Sequence, residues 1–170
     1  IFDYNEKYTD QSENKNFNQI SFFNTQHGAH YLTAIEIWKN NKIFGIGIKN
    51  FRNESPKLKY SNIKSAHVKF RAATHPHNYQ MELLSETGLI GFIFFNLFFL
   101  FLFLKIFKDN YKFRDNNYYV NIFYIIILSK YFPFKSDASL FSSSMGLLFW
   151  MFTIFLIVSY NYNRNYFIND

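Results

Sequence analysis

Hydrophobic positions are distributed very unevenly along this chain. From Gly88 to Leu104 the only strongly polar residue is Asn96, and from Leu140 to Tyr160 no residue carries a charge. Runs of this purity match the ~20 residues, or ~17 at the short end, that a helix needs to cross a bilayer. A third apolar stretch, Tyr118 to Phe134, contains Asn121, Ser129 and Lys130, and reads as a weaker, tilted or half-inserted span. The pattern predicts an all-α integral membrane fold: a polar loop domain with short helices over 1–85, then 86–170 with three transmembrane helices at about 88–104, 118–134 and 140–160.

The polar segment has its own subdivision. Residues 1–26 read as loop. Between Ala29 and Trp38, the spacing of Tyr31, Ala34, Ile35 and Trp38 predicts an amphipathic helix. Gly45 and Gly47 within Ile43–Ile48 signal a tight turn or close backbone approach. Residues 53–74 are polar and basic with Pro56, again loop-like. From Asn78 a helical pattern resumes, with Met81, Leu84 and Leu83 towards one face, and is expected to continue through Gly88 straight into the first span.

Composition refines this picture. The chain has 170 residues, 49% of them hydrophobic, no cysteine and a formal net charge of +6. The apolar content excludes disorder, and the lack of cysteine excludes a disulfide-stapled scaffold. A mean hydropathy of -0.14 averages two unlike halves. Asn, Lys, Ile, Phe and Tyr are favoured by AT-rich coding sequence whatever the function, so aromatic richness alone does not indicate sugar or base stacking. The basic residues of 1–85 are scattered rather than clustered, which gives no nucleic-acid footprint. Lys105, Lys108, Lys112 and Arg114, opposed by Asp109 and Asp115, lie between the first two spans. Positive residues in short loops stay cytoplasmic, which puts 105–117 and the tail with Arg164 inside, and Pro133–Ser139 and residues 1–85 outside. The chain starts at Ile1 without a basic-then-apolar leader, and is expected to be the C-terminal part of a longer one.

Chemistry concentrates in Thr74-His75-Pro76-His77-Asn78-Tyr79, ahead of Leu83-Leu84-Ser85-Glu86-Thr87-Gly88-Leu89-Ile90-Gly91. Imidazole is the side chain best matched to accepting a proton near neutral pH. Pro76 stiffens the backbone between the two histidines, and Asn78 suits the N-cap of the following helix. Helix N-termini also attract phosphates. The residues thus suggest a proton acceptor beside a phosphate site at the membrane surface. His75-x-His77 with His67, His27 or His30 could ligate a metal, but no acidic or cysteine cluster accompanies them, and no metal or cofactor is expected. Glu86 is expected to hydrogen-bond locally where the helix begins. Gly45 and Gly47 lack the third glycine of a dinucleotide fingerprint.

The run H-P-H-N-Y-x-x-x-L-L-x-E-T-G-x-I-G-F resembles the signature of the O-antigen ligase/polymerase family of bacterial membrane glycosyltransferases. The upstream piece His30-Tyr31-Leu32-Thr33-Ala34 to Trp38, then Ile43-Phe44-Gly45-Ile46-Gly47-Ile48-Lys49-Asn50-Phe51-Arg52, is similar to what precedes that signature in many members. Tyr131-Phe132-Pro133-Phe134, Ser139-Leu140-Phe141 and a final uncharged span fit the family's C-terminal end, so the likeness covers about 27 to 158. The resemblance implies a multi-pass protein of the bacterial inner membrane with its site facing the periplasm. It implies metal-independent transfer of a glycan from undecaprenyl diphosphate to lipid A-core or another glycan acceptor. Polymerisation of the polysaccharide, or protein O-glycan ligation, would use the same chemistry. A reading of another class is a non-catalytic membrane subunit of polysaccharide export, using its basic loop only to hold anionic glycan or lipid. On the family pattern His77 is the general base on the acceptor hydroxyl. Arg52 and Arg71, with Lys49 behind them, are the candidate clamp on the leaving diphosphate, since the guanidinium fork matches phosphate oxygens. His75 would orient His77, and Asn78 completes the substrate-binding set. One departure stands out: many members carry an Arg about eighteen residues before the first glycine of G-x-G, where this chain has His27.

Overall fold

The computed structural model describes residues 22–112, 118–133 and 135–169. Most of the expected N-terminal loop (1–21), Arg114 and Asp115 of the basic connection, and Phe134 lie outside the described residues. Among the described residues all regular structure is helical: α1 (Gln26–Asn40), α2 (Phe51–Glu54), α3 (Tyr79–Lys112), α4 (Tyr118–Tyr131) and α5 (Ser144–Asn169). Short 3-10 turns stand at Phe22–Asn24, Leu58–Tyr60 and Val68–Phe70.

The first unit packs α1, α2 and the intervening loops around Ala34, Ile37, Phe51, Tyr60 and Met81. Thr25 caps α1 by accepting from the Gly28 N–H at 3.0 Å. The buried face of α1 is not centred where the apolar spacing placed it. It runs through Ala29, His30, Thr33, Ala34 and Ile37, while Tyr31 and Ile35 pack only partly against the core. Polar His30 and Thr33 can face inward because each finds a carbonyl, Phe70 O at 2.7 Å and Ala29 O at 2.7 Å.

α3 does not continue straight through Gly88 as expected. Gly88 has φ 67° and ψ -167°, a conformation open in practice to glycine alone, and it divides the helix into limbs 79–87 and 89–112. The break exposes backbone carbonyls of one limb and N–H groups of the next, and residues 42–47 satisfy both. Ile46 and Gly47 N–H donate to Ser85 O and Glu86 O, while Leu89 and Ile90 N–H donate to Lys42 O and Ile43 O, at 2.8–3.3 Å. So close an approach requires two glycines without Cβ atoms. A Cβ on Gly88 would lie 2.3 Å from Ile43 O, and one on Gly45 2.5 Å from the Glu86 carbonyl. The first limb consequently joins two cores: Met81 faces the loop unit, whereas Tyr79 and Leu83 face the apolar bundle.

The bundle runs down, up and down. Phe103 of α3 meets Tyr124 and Tyr131 of α4, Phe123 of α4 stacks on Phe152 and Phe155 of α5, and Phe99 touches Phe149 of α5. The Tyr131 hydroxyl donates to Asn96, and that of Tyr160 to Asp109 at the far end, where Lys105 also lies over the Tyr160 ring. Two helices are long and apolar enough to cross a membrane, within Tyr79–Asp109 and Ser144–Tyr162. Only 17% and 28% of their most apolar windows are buried, unlike the core helices of a soluble protein. Past the break, limb 89–109 is still about 31 Å long at 1.5 Å per residue. α4, at 14 residues, reaches only about 21 Å and falls short of the expected second span. α5 starts at Ser144 rather than 140, because Ser143 caps it by accepting from Gly146 N–H at 3.0 Å.

Candidate functional site

Asn78 opens α3. Its Oδ1 accepts from Met81 N–H at 3.0 Å, and its Nδ2 donates to Pro133 O and Lys135 O at 2.6 and 3.1 Å. The side-chain amide expected at the substrate is thus engaged at both ends within the fold. One turn on, buried Glu82 accepts from the Ser139 hydroxyl and, at 2.6 Å, from Leu140 N–H. Asp137 N–H donates to His77 O at 2.9 Å. These bonds strap the α4–α5 connection across the head of α3, directly beside His77.

His77 itself has φ 56°, the left-handed region that histidine tolerates better than bulky residues. That turn aims the half-buried imidazole into a cavity of about 300 Å³. Phe22, Phe23 and Tyr31, which meet edge-on at 5.6–6.3 Å, form an apolar wall. His27 from the first turn of α1 and Lys135 from the strap supply polar groups, with Pro76, Asn78 and Ser136 completing the lining.

Four imidazoles converge around His77. Ring centroids lie 4.1 Å away for His75, 5.1 Å for His30 and 5.2 Å for His27, with His30 stacked. Burial lowers the pKa of His77, and a charge on His27 would lower it further. Burial takes His75 down to about 4, helped by His77, His30 and Arg52. Burial also lowers His30, against the raising effect of its Phe70 carbonyl bond. His77 therefore stands neutral at pH 7, the form that can accept a proton. His75 bonds Thr74 Oγ1 through Nδ1 at 2.9 Å, not His77, and its Nε2 is buried without a hydrogen-bond partner. Among the described residues no group of three His, Asp or Glu side chains is arranged to hold a metal ion.

The proposed clamp residues are dispersed. Arg52 is exposed on α2, close enough for its charge to act on His75, but it does not line the cavity. Arg71 is buried and donates from Nη2 to Pro56 O at 2.9 Å. Lys49 is exposed at φ 64°, and its backbone N–H, with that of Phe51, is held by the Glu86 carboxylate at 2.7 and 3.0 Å. Glu86 thus bonds a loop some 35 residues upstream rather than its own helix start. The cation at the cavity is Lys135, which also lies 3.5 Å from Asp137. Burial pushes the Asp137 carboxyl up, but the Ala138 N–H and Lys130 outweigh it and leave the pKa lowered. Lys135 was not singled out in the sequence, since nothing local to it signals that a strap carries it 58 residues back to His77.

Comparison with protein-family models, curated proteins and solved structures finds no match to this chain.

Proposed function

We propose that this chain is the membrane-embedded portion of a glycosyltransferase. It moves a glycan from a polyprenyl-diphosphate carrier to an acceptor hydroxyl at the outer face of a bacterial inner membrane, as an O-antigen ligase or a polymerase of the same chemistry. α3 and α5 cross the bilayer fully, and α4 returns as a short crossing. One observation carries the reading: a neutral imidazole, His77, faces a cavity at the head of an apolar helix bundle, with a lysine on the same cavity.

The acceptor hydroxyl gives its proton to His77 as its oxygen bonds the anomeric carbon. The bond from that carbon to the diphosphate oxygen breaks, and the electron pair leaves on the diphosphate. Lys135 offers the developing charge a counter-ion from inside the cavity, and Arg52 offers one from its rim. The apolar wall of Phe22, Phe23 and Tyr31 suits the C–H face of a sugar ring. Arg71, committed to Pro56 O, serves the loop that positions α2.

The test is His77→Ala and His77→Gln in the full-length protein, produced in cells lacking it. Surface polysaccharide should be lost while the protein inserts normally and lipid-linked glycan accumulates. Unchanged polysaccharide in either variant would refute the reading. Lys135→Ala should slow transfer about 10- to 100-fold, whereas Lys135→Arg should retain most of it.

A further inference from the structure

His77 must lose the proton it gains before a second turnover, and its surroundings restrict where that proton can go. Three imidazoles lie within reach of its ring. His30 is 3% exposed, and its Nε2 is engaged with Phe70 O. His75 is tied to Thr74 and does not line the cavity. His27 alone of the three is exposed and shares the cavity wall with His77. Its ring stands at 75° to that of His77, with centroids 5.2 Å apart. Because a ring nitrogen lies ~1 Å from its centroid, a turn of either ring brings two nitrogens within hydrogen-bond distance.

We propose that His27 is a second catalytic residue of this site: it takes the proton from His77 and releases it to solvent, and it touches the acceptor on the opposite side of the cavity. This rests on the glycosyl-transfer reading. The balance closes without a co-reactant. One proton leaves the acceptor oxygen, passes from His77 to His27, and ends on water or on the departing diphosphate as the carbon–oxygen bond to the carrier breaks. The first turn of α1 suits a transient carrier, because a helix N-terminus disfavours a resident cation and speeds its discharge. Neutral imidazole, with one donor and one acceptor nitrogen, can receive at one edge and release at the other.

The experiment uses membranes that hold their own lipid-linked glycan and acceptor, with the full-length protein supplied as His27→Ala, His27→Gln, His27→Arg or His77→Ala. His27 is exposed and its side chain forms no part of the Thr25 cap, so the variants should fold. His27→Ala and His27→Gln should each slow turnover about 10- to 100-fold. Imidazole added at millimolar concentration should restore much of the rate to His27→Ala, whose cavity it can enter, but not to His27→Arg. Full activity of His27→Ala or of His27→Gln would overturn the assignment while leaving His77 as base. A loss in His27→Ala that imidazole leaves unchanged and His27→Arg repairs would overturn it too, in favour of a simple counter-ion. Full activity of His77→Ala would instead refute the reading beneath.

Discussion

A methyl group at Gly88 would have to sit 2.3 Å from a carbonyl oxygen, at a φ of +67° that L-residues avoid. The same holds for Gly45 against Glu86. Gly88→Ala and Gly45→Ala should each destabilise the fold by at least about 2 kcal/mol, from left-handed strain plus displaced backbone bonds. A detergent-solubilised thermal melt would register this as a lower midpoint. Glu86→Gln tests a different dependence. Its amide must turn a donor towards Lys49 or Phe51 N–H, losing one bond and costing about 1–3 kcal/mol. Faster hydrogen exchange confined to residues 45–52 would report it. At this scale the sequence disclosed the turn at Gly45 and the cap at Asn78, because both act on near neighbours. The left-handed φ of His77 and the distant partners of Glu82 and Glu86 were hidden, since they depend on loops 35 to 58 residues away.

Among elements, the meeting of α1 with the 71–78 segment has a consequence for acid stability. The His75 pKa falls from 6.5 to about 4 on folding, and those of His30 and His77 fall as well, each chiefly through burial. Between pH 6.5 and about 4 the unfolded chain then binds protons that the folded one refuses, so unfolding becomes easier as pH drops. Stability from this cluster is fully present above pH 6.5 and is lost progressively below it. A series of melts from pH 7.5 to 4 should show that decline, and His75→Asn should flatten it. If the two proteins lose stability in parallel, the cluster is not its source. Both histidine spacings, His27-x-x-His30 and His75-x-His77, were visible in the chain, but nothing in either showed that they converge. The break in α3 was equally concealed. Apolar residues continue on both sides of Gly88, so the hydrophobic pattern gave no sign that the limbs part there, nor that residues 42–47 fill the gap.

For the whole molecule, the decisive feature is the outward face of the bundle. Phe94 and Leu147 are 70% and 72% exposed, and Phe101, Phe107 and Ile154 stand out similarly. A soluble protein does not leave so broad an apolar face to water, which accords with lipid or further helices as its surroundings. The composition already pointed this way, because long uncharged runs need no tertiary information to be recognised; α4 fell short because its polar interruptions end the helix at Tyr131. The proposed orientation follows from structure and charge together. The strap bonds place Ser136 on the same side as His77, whereas Lys105 and Lys108 lie about 31 Å along the second limb of α3. The chain contains no cysteine, so single substitutions report location cleanly. In intact spheroplasts an impermeant maleimide should label Lys64→Cys and Ser136→Cys, and should reach Lys108→Cys only after lysis. Labelling of all three without lysis would mean that α3 does not cross. Labelling of Lys108→Cys alone would invert the topology and carry the His77 cavity to the cytoplasmic face, where a polyprenyl-linked donor already flipped outward could not reach it.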